Sequence, residues 1–386
     1  MENIKCDIII SGGGMAGLSL LYRALKEGLW HDKHIVVVDK HSKQNNDKTW
    51  SFWKKEQTDF DEIISHSWND LLFYSNSGKQ LHLDAAPYTY CTIRSLDFYN
   101  FVLAYLKTFP NVSFYLDEVR SWYHKDQQSF LHTARYQFAG EFLFNSIYQK
   151  PVLHSHSQYF LQHFKGVIIQ LNEPTRLRAA HLMDFRTSQE HGTTFFYTLP
   201  LSESVIFVEY TIFSKSLLRP AEYDAKIETY INDELNITQY KVIEEEFGAI
   251  PMTDHMFNRF DGSIVNIGTA GGDTRASTGY TFINTQKTIS KILHSLKQHG
   301  HASFGAETIA LKQQLYDSTL LNVLDGNRYQ GHQLFYDLFK GTPASTIFSF
   351  LDAETSIFED LQIMKSLRVA PFLKSFLAAV YRKLRG

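Results

Sequence analysis

Between residues 6 and 39 this chain has little freedom of fold. Cys6-Asp7-Ile8-Ile9-Ile10 is an apolar run of strand length, and Ser11-Gly12-Gly13-Gly14-Met15-Ala16-Gly17 follows it directly. Apolar residues then recur at helical spacing over 18–28 and stop at Gly28. His34-Ile35-Val36-Val37-Val38-Asp39 is a second apolar run, closed by an acid. Strand, glycine turn, helix and strand in that order make a βαβ unit, the building block of a parallel sheet. Gly12, Gly14 and Gly17 carry the GxGxxG spacing in its proper context. Gly12 permits the tight turn, Gly14 lets the backbone approach a pyrophosphate, and Gly17 lets helix and strand pack closely. The helix start at Met15 and Ala16 offers free N–H groups and a positive partial charge. Asp39 is placed to accept a ribose hydroxyl. The unit predicts a dinucleotide site without deciding which dinucleotide.

A chain of 386 residues exceeds one small core, so two closely packed domains are expected. Its 38 basic and 41 acidic residues leave a net charge of −3, without the basic footprint of a nucleic-acid protein. The aromatic load of 30 Phe, 21 Tyr and 5 Trp fits a large core, or a ring-lined cavity able to stabilise a cation. Cys6 and Cys91 make no CxxC pair, which predicts free thiols in a reducing compartment. The N-terminus lacks a signal-peptide pattern, and no apolar run approaches the ~18 residues of a spanning helix. His154, His156 and His163 lie close in sequence, but no carboxylate or cysteine completes a ligand set, so no metal is expected.

Residues 71–84 read as a hairpin turning at Asn76-Ser77-Gly78. The spacing predicts helices over 96–109 and 223–235. It predicts aromatic-rich strands over 166–171, 193–199 and 204–213, and helices from 311 to the end. Residues 263–268 read as a short strand. The turn Gly268-Thr269-Ala270-Gly271-Gly272 follows, with a helix from about 279. A second glycine-rich helix start makes sense for a long ligand such as FAD, beside its ribityl chain and ring; NAD would not need it. Gly268, Gly271, Gly272 and Gly279 therefore join Gly12, Gly14, Met15, Ala16, Gly17 and Asp39 as candidate cofactor contacts. The expected fold class is α/β. A Rossmann-like FAD-binding domain (1–70, 94–165 and 250–310) is interleaved with a substrate domain built on a mixed or antiparallel sheet (71–93 and 166–249). A helical region (311–386) completes the chain.

Several signatures occur in order. They are Asn46-Asp47-Lys48-Thr49-Trp50-Ser51-Phe52-Trp53 and Tyr90-Cys91-Thr92-Ile93-Arg94-Ser95-Leu96-Asp97-Phe98-Tyr99, then Leu182-Met183-Asp184-Phe185-Arg186 and Phe196-Tyr197-Thr198-Leu199-Pro200-Leu201-Ser202. Val208-Glu209-Tyr210-Thr211, Gly248-Ala249-Ile250-Pro251-Met252 and the stretch 268–283 follow. With the first glycine turn they make the chain resemble the flavin-dependent lycopene cyclases, most closely the bacterial β-cyclases, over roughly residues 5–285. The family usually has Arg where this chain has Lys48. The resemblance implies closure of the ψ-ends of lycopene into β-ionone rings, through γ-carotene to β-carotene. It implies no net electron transfer, yet a reduced FAD with NADPH as reductant. On the family's model the reduced anionic flavin stabilises the cationic transition state or assists proton transfer.

The chemistry needs an acid for the terminal alkene, a water-free site, and π-faces or negative charge near the cation. Strand alternation puts Phe207, Glu209 and Thr211 on one face and Ile206, Val208, Tyr210 and Ile212 on the other. Both faces are largely apolar, so Glu209 is expected to be buried, with a raised pKa that keeps its proton near neutrality. The family's catalytic acid maps onto Glu209. Glu244-Glu245-Glu246 is an acidic cluster in which Glu246 matches the family pattern as a second catalytic carboxylate. Asp47 and Trp50 are expected near the flavin or the channel. Arg94 suits either the flavin phosphates or an ion pair. The same scaffold also serves flavin monooxygenases, halogenases and isoprenoid reductases, and a carotenoid-binding flavoprotein without catalysis is a further reading.

Lycopene and related acyclic carotenoids live in a bilayer, so the resemblance implies a cytoplasmic protein peripherally attached to the inner membrane. Over 361–386 the chain carries Lys365, Arg368, Lys374, Arg382, Lys383 and Arg385 and no acid. Phe372, Phe376, Val380 and Leu384 recur every four residues and predict the apolar stripe of an interfacial helix.

Overall fold

The computed structural model describes residues 2–153, 157–305 and 309–385, with side chains through Arg382. His154 and His156 lie outside the described residues, as does the Leu384 side chain. At the centre is a six-stranded sheet ordered Phe260–Asp261, Ile264–Asn266, Phe142–Asn145, Ile8–Ser11, Ile35–Asp39, Val112–Leu116. Every pairing but the first is parallel. From Ile8–Ser11 the chain crosses through the helix Met15–Lys26 to Ile35–Asp39 on one side, and later returns as Phe142–Asn145 on the other. Such a reversal opens a crevice outside the carboxyl ends of the strands.

Both faces of this sheet are buried, which is why its strands read as unbroken apolar runs. Ile8, Ile10, Ile35 and Val37 face Leu21, Leu25, Phe98, Val102, Ile289 and Ile292 of the helices Met15–Lys26, Ser95–Leu106 and Phe282–His299. Ile9, Val36 and Val38 point the other way and meet Leu131 and Phe138. Those two residues belong to an antiparallel meander, Ser121–Lys125, Gln128–His132 and Tyr136–Gly140, extended in parallel by Glu2–Lys5.

A seven-stranded sheet, ordered Tyr240–Thr253, Tyr159–Leu171, Val205–Ser214, Thr193–Pro200, Ala180–Asp184, Leu71–Tyr74, Gln80–Leu83, stands beside the first. On its back, Val167, Ile169, Ile206, Val208 and Ile212 pack against Tyr223, Ile227 and Ile231 of the helix Pro220–Asp233. The expected boundaries at 165/166 and 249/250 fall inside Tyr159–Leu171 and Tyr240–Thr253, which run unbroken through them. Gly166 and Gly248 are glycines within strands, not chain breakers, and they mark close approach of side chains.

The helices Leu311–Asp325, Gly331–Gly341, Ala344–Leu351, Ile357–Lys365 and Val369–Arg385 follow. Leu321, Leu334, Phe335 and Phe348 join Phe195 and Phe213 of the seven-stranded sheet, and Phe185 just past its strand Ala180–Asp184, in one core. Beside it they enclose an apolar cavity of about 430 Å³. The expected stripe on the last helix is placed differently: Phe372 and Phe376 are half-buried and line this cavity. The exposed stripe is one residue later, at Val369, Leu373, Leu377 and Tyr381. The helix is apolar over both arcs, and the core takes the one that carries the two phenylalanines. Among the described residues no helix is long and apolar enough to cross a membrane.

Arg275 ties the two halves of the chain together. It is 1% exposed, donates to both carboxylate oxygens of Asp317 at 3.0 and 2.8 Å, and to the Leu351 carbonyl at 2.7 Å. Removing one member of such a buried pair strands the other charge. Arg275→Met is therefore expected to lower stability by about 3–5 kcal/mol in urea unfolding. A midpoint equal to that of the unaltered protein would contradict this account.

Candidate active site

The front of the seven-stranded sheet carries the two expected carboxylates, Glu209 and Glu246. Glu209 on Val205–Ser214 is paired in register with Tyr197 on one side and Gly166 on the other. Gly166 is in turn paired with Glu246 of the edge strand. Residues in register share a face, so Tyr197, Glu209, Gly166 and Glu246 form one row across four strands. Leu199, Phe207 and Ile168 form the row on one side, and Phe195, Thr211 and Phe164 the row on the other. The vacancy at Gly166 is what makes the carboxyl row possible. A Cβ there would stand 2.7 Å from the Phe207 ring and 3.1 Å from Cγ of Glu246.

Glu209 is 8% exposed, and its Oε1 accepts a hydrogen bond from Thr211 at 2.6 Å. Burial pushes its carboxyl well above the usual range, and repulsion from Glu246 pushes it further; Thr211 and Lys48 only partly oppose them. Glu246 is raised as well, first by burial, against the Thr49 hydroxyl that donates to its Oε2 at 2.7 Å and against Lys48. Glu244 and Asp47 add repulsion. Two carboxyls that interact in this way share their protons and titrate as a pair. Glu209 lines a cavity of about 470 Å³, whereas Glu246 is set back from its wall against Thr49.

The other end of this cavity is the dinucleotide crevice. Gly14, Met15 and Ala16 line it, together with Gly268 and Gly279. The helix Met15–Lys26 has no side-chain cap and no acid in its first turn, so its leading N–H groups are free for an anion. A Cβ at Gly14 would meet nothing within 4 Å, which leaves the backbone open to a ligand. At Gly17, by contrast, a Cβ would lie 2.1 Å from the Gly12 carbonyl oxygen, so that glycine serves packing. Asp39 accepts from the Gly13 N–H at 2.7 Å and from Lys43 at 3.1 Å. These features fit a pyrophosphate and ribose. The two glycine turns also meet each other: a Cβ at Gly268 would sit 2.9 Å from that of Ala16.

Of the remaining expected site residues, Asp47 and Trp50 line the cavity. Asp47 accepts from Ser95 at 2.8 Å and Tyr99 at 3.0 Å. Gly271 and Gly272 shape the second turn from outside the cavity wall, Gly272 with φ +81°. Arg94 forms an ion pair with Glu244 at 2.6 Å and does not reach the lining. His163 is buried between Tyr223, at 2.6 Å, and Ser214, at 2.8 Å. Among the described residues no three of His, Cys, Asp or Glu gather as a metal site.

Sequence reasoning passed over Asp273 and Arg259. Asp273 is fully buried, accepts from the Gly268 N–H at 2.7 Å, from Arg259 at 2.8 Å and from Thr288 at 2.6 Å, and so fixes the second turn. An acid directly after a glycine turn was the available signal. Gly166 was also passed over, although a glycine inside an apolar strand pattern is a recognised mark of close approach.

The fold recurs in flavoproteins. A flavoprotein/dehydrogenase from Cytophaga hutchinsonii superposes with a TM-score of 0.62 at 12% identity, covering 99% of this chain and 100% of that one. A geranylgeranyl bacteriochlorophyll reductase-like protein from Thermoplasma acidophilum gives 0.61 at 10% identity, over 96% and 98%. The halogenase PltM in complex with phloroglucinol and FAD gives 0.54 at 10% identity, over 93% and 83%. No curated protein sequence matches the chain significantly. The family model described as lycopene cyclase protein matches residues 7–377. The chain therefore belongs to the lycopene cyclase family.

Proposed function

We propose that this protein cyclises the acyclic ends of lycopene, or of a related acyclic carotenoid, to β-ionone rings without net oxidation. The observation that carries the reading is the carboxyl row of buried Glu209 and half-buried Glu246, set between a dinucleotide crevice and an apolar cavity. Gly12, Gly14, Met15, Ala16, Gly17 and Asp39 would hold the pyrophosphate and ribose end of FAD. Gly268, Gly271, Gly272 and Gly279 would flank its ribityl chain and ring. Bound there and reduced by NADPH, FAD would supply negative charge to the site.

The chain's own residues supply the proton chemistry. Glu209, neutral because it is buried beside Glu246, donates its proton to C2 of the terminal C1=C2 alkene. The cation left at C1 is attacked by the C5=C6 alkene, which closes the C1–C6 bond and moves the charge to C5. Loss of the C6 proton to the carboxylate pair forms the C5=C6 bond of the ring and restores the acid. Atoms and electrons balance, and the product is an isomer of the substrate. Phe207, Leu199 and Phe164 line the chamber and keep water from trapping the cation.

Access from a bilayer is part of the same reading. Val369 and Leu373 line the apolar cavity and are 64% and 56% exposed, so the cavity opens between the last two helices. Phe358 (80% exposed) and Leu377 (60%) extend the apolar rim, and Lys365, Arg368 and Lys374 are exposed beside it. This pattern suits an anionic lipid surface.

Purified protein with FAD, NADPH and lycopene in liposomes should form γ- and β-carotene anaerobically, without stoichiometric NADPH loss. Oxygen-dependent NADPH consumption with unchanged lycopene would instead indicate a monooxygenase. Glu209→Gln should lower kcat by about 10²–10⁴-fold while FAD stays bound; near-normal turnover would remove Glu209 as the acid. Deprotonation of a raised carboxyl should end activity on the alkaline side, well above the ordinary glutamate value of about 4.3. Glu246→Gln removes repulsion that holds the Glu209 pKa up, so this limb should move to lower pH, and an unmoved limb would uncouple the pair. Leu373→Glu with Leu377→Glu should weaken sedimentation with anionic liposomes by about tenfold or more. Unchanged sedimentation would exclude this face as the docking surface.

A further inference from the structure

The apolar cavity and the carboxyl chamber share three wall residues, Tyr197, Thr278 and Tyr280. Tyr197 is the neighbour of Glu209 in the cross-strand row. Tyr280 follows the second glycine turn and packs edge-on against Trp53, with ring centroids 4.3 Å apart. Trp53 in turn stacks on Phe348 of the C-terminal helices at 4.8 Å. Behind Tyr280 stands Tyr90, 1% exposed, with its hydroxyl 3.4 Å from that of Tyr280. The Tyr280 hydroxyl also interacts with that of Tyr197. Burial keeps all three phenols well above their ordinary pKa, so they stay neutral. The partition between the two chambers is thus two aromatic rings and a threonine, tied by a long and weak hydroxyl contact.

We propose that Tyr197 and Tyr280 form an aromatic gate through which the end of the polyene passes from the apolar cavity to Glu209, with the Tyr90–Tyr280 hydroxyl contact as its latch. The inference rests on the carotenoid reading above. A hydrocarbon lying in the apolar cavity meets these rings before it can meet the carboxyl. The rings can turn about χ1 and χ2 without breaking strand pairing, and once displaced they present π-faces to a cation forming beside Glu209. Closed, they keep the acid chamber separate from a cavity whose mouth is open to the exterior. They are positioning residues: no proton or bond is assigned to them.

The test is a size series at the gate, assayed with lycopene in liposomes and with FAD content measured for each variant. Tyr280→Phe removes the latch, together with the hydroxyl contact to Tyr197, and keeps the ring. It should raise kcat/KM by about threefold or more, the scale of weak hydrogen bonds. Tyr280→Trp narrows the passage and should lower kcat/KM by roughly tenfold or more with FAD retained. If Tyr280→Trp loses flavin, Tyr197→Trp narrows the same passage from the opposite wall and is judged by the same criterion. Uptake of lycopene into the cavity, followed by the shift of its absorption bands, should survive in the tryptophan variant. A flavin-loaded tryptophan variant that cyclises as fast as the unaltered protein would overturn the gate. So would a phenylalanine variant as impaired as the tryptophan one, because that pattern marks the hydroxyl as structural. Failure of the unaltered protein to consume lycopene would instead overturn the underlying reading, and the gate with it.

Discussion

Burying Glu209 beside Glu246 is unfavourable, and a large part of the architecture is what makes it tolerable. A carboxyl out of water either loses its charge or finds a partner. Thr211 donates to Glu209, Thr49 donates to Glu246, and Lys48 lies close enough to stabilise either charge. None of these is a tight ion pair, so burial and mutual repulsion win and both carboxyls are held above their usual range. The contrast is Asp184, which is equally buried but held by Arg186 and Tyr230, and whose carboxyl is pushed below the usual range. Two carboxyls on one sheet have thus been given opposite states by their partners. Only the one that faces the cavity is held above the usual range.

The second dependency is between the sheets. Glu209 belongs to the seven-stranded sheet and Gly14 to the turn of the parallel one, yet both line one cavity. What fixes their separation is the segment after Gly268. Asp273 clamps the turn through the Gly268 amide and Arg259, and Arg275 anchors the next residues to Asp317 and Leu351. Gly279 then passes so close to Gln162 that a Cβ would be 2.4 Å from its Oε1. A single stretch therefore touches the dinucleotide turn, the sheet that carries the acid and the C-terminal helices. An active site assembled from two sheets needs such a brace, because small shifts between reacting groups cost much of the rate.

Much of this was legible in the sequence because it rests on local rules. Uninterrupted apolar strands, the GxGxxG turn and the alternation around Glu209 each follow from period and backbone geometry. What was not legible depends on which strands become neighbours. The pairing of Glu209 with Gly166 and Glu246 links residues far apart in sequence, and nothing local distinguishes Glu246 from Glu244 or Glu245. The tyrosines failed for the same reason: Tyr90, Tyr197 and Tyr280 come from three distant elements, and each alone reads as a core residue. The tail helix failed differently. Its apolar residues form two stripes one position apart, and only the packed structure decides that Phe372 is half-buried against the cavity while Leu373, at the cavity mouth, is largely exposed.

The flavoproteins that share this fold at 10–12% identity include a reductase-like protein and a halogenase, so the scaffold alone does not select a reaction. On the proposed reading, the selection in this chain lies in the partition of space. One chamber is apolar and opens among helices whose outer surface is also apolar; the other holds the glycine turns and the carboxyl row. A carbocation survives only where water and stronger nucleophiles are absent, and a carboxyl stays protonated only where it is not solvated. Both conditions reduce to the same requirement, a dry acid chamber joined to a hydrocarbon store. On the proposed reading, the wall of aromatic rings lets the two chambers communicate without sharing their solvent, and the raised carboxyl and the apolar cavity are then two consequences of one exclusion of water.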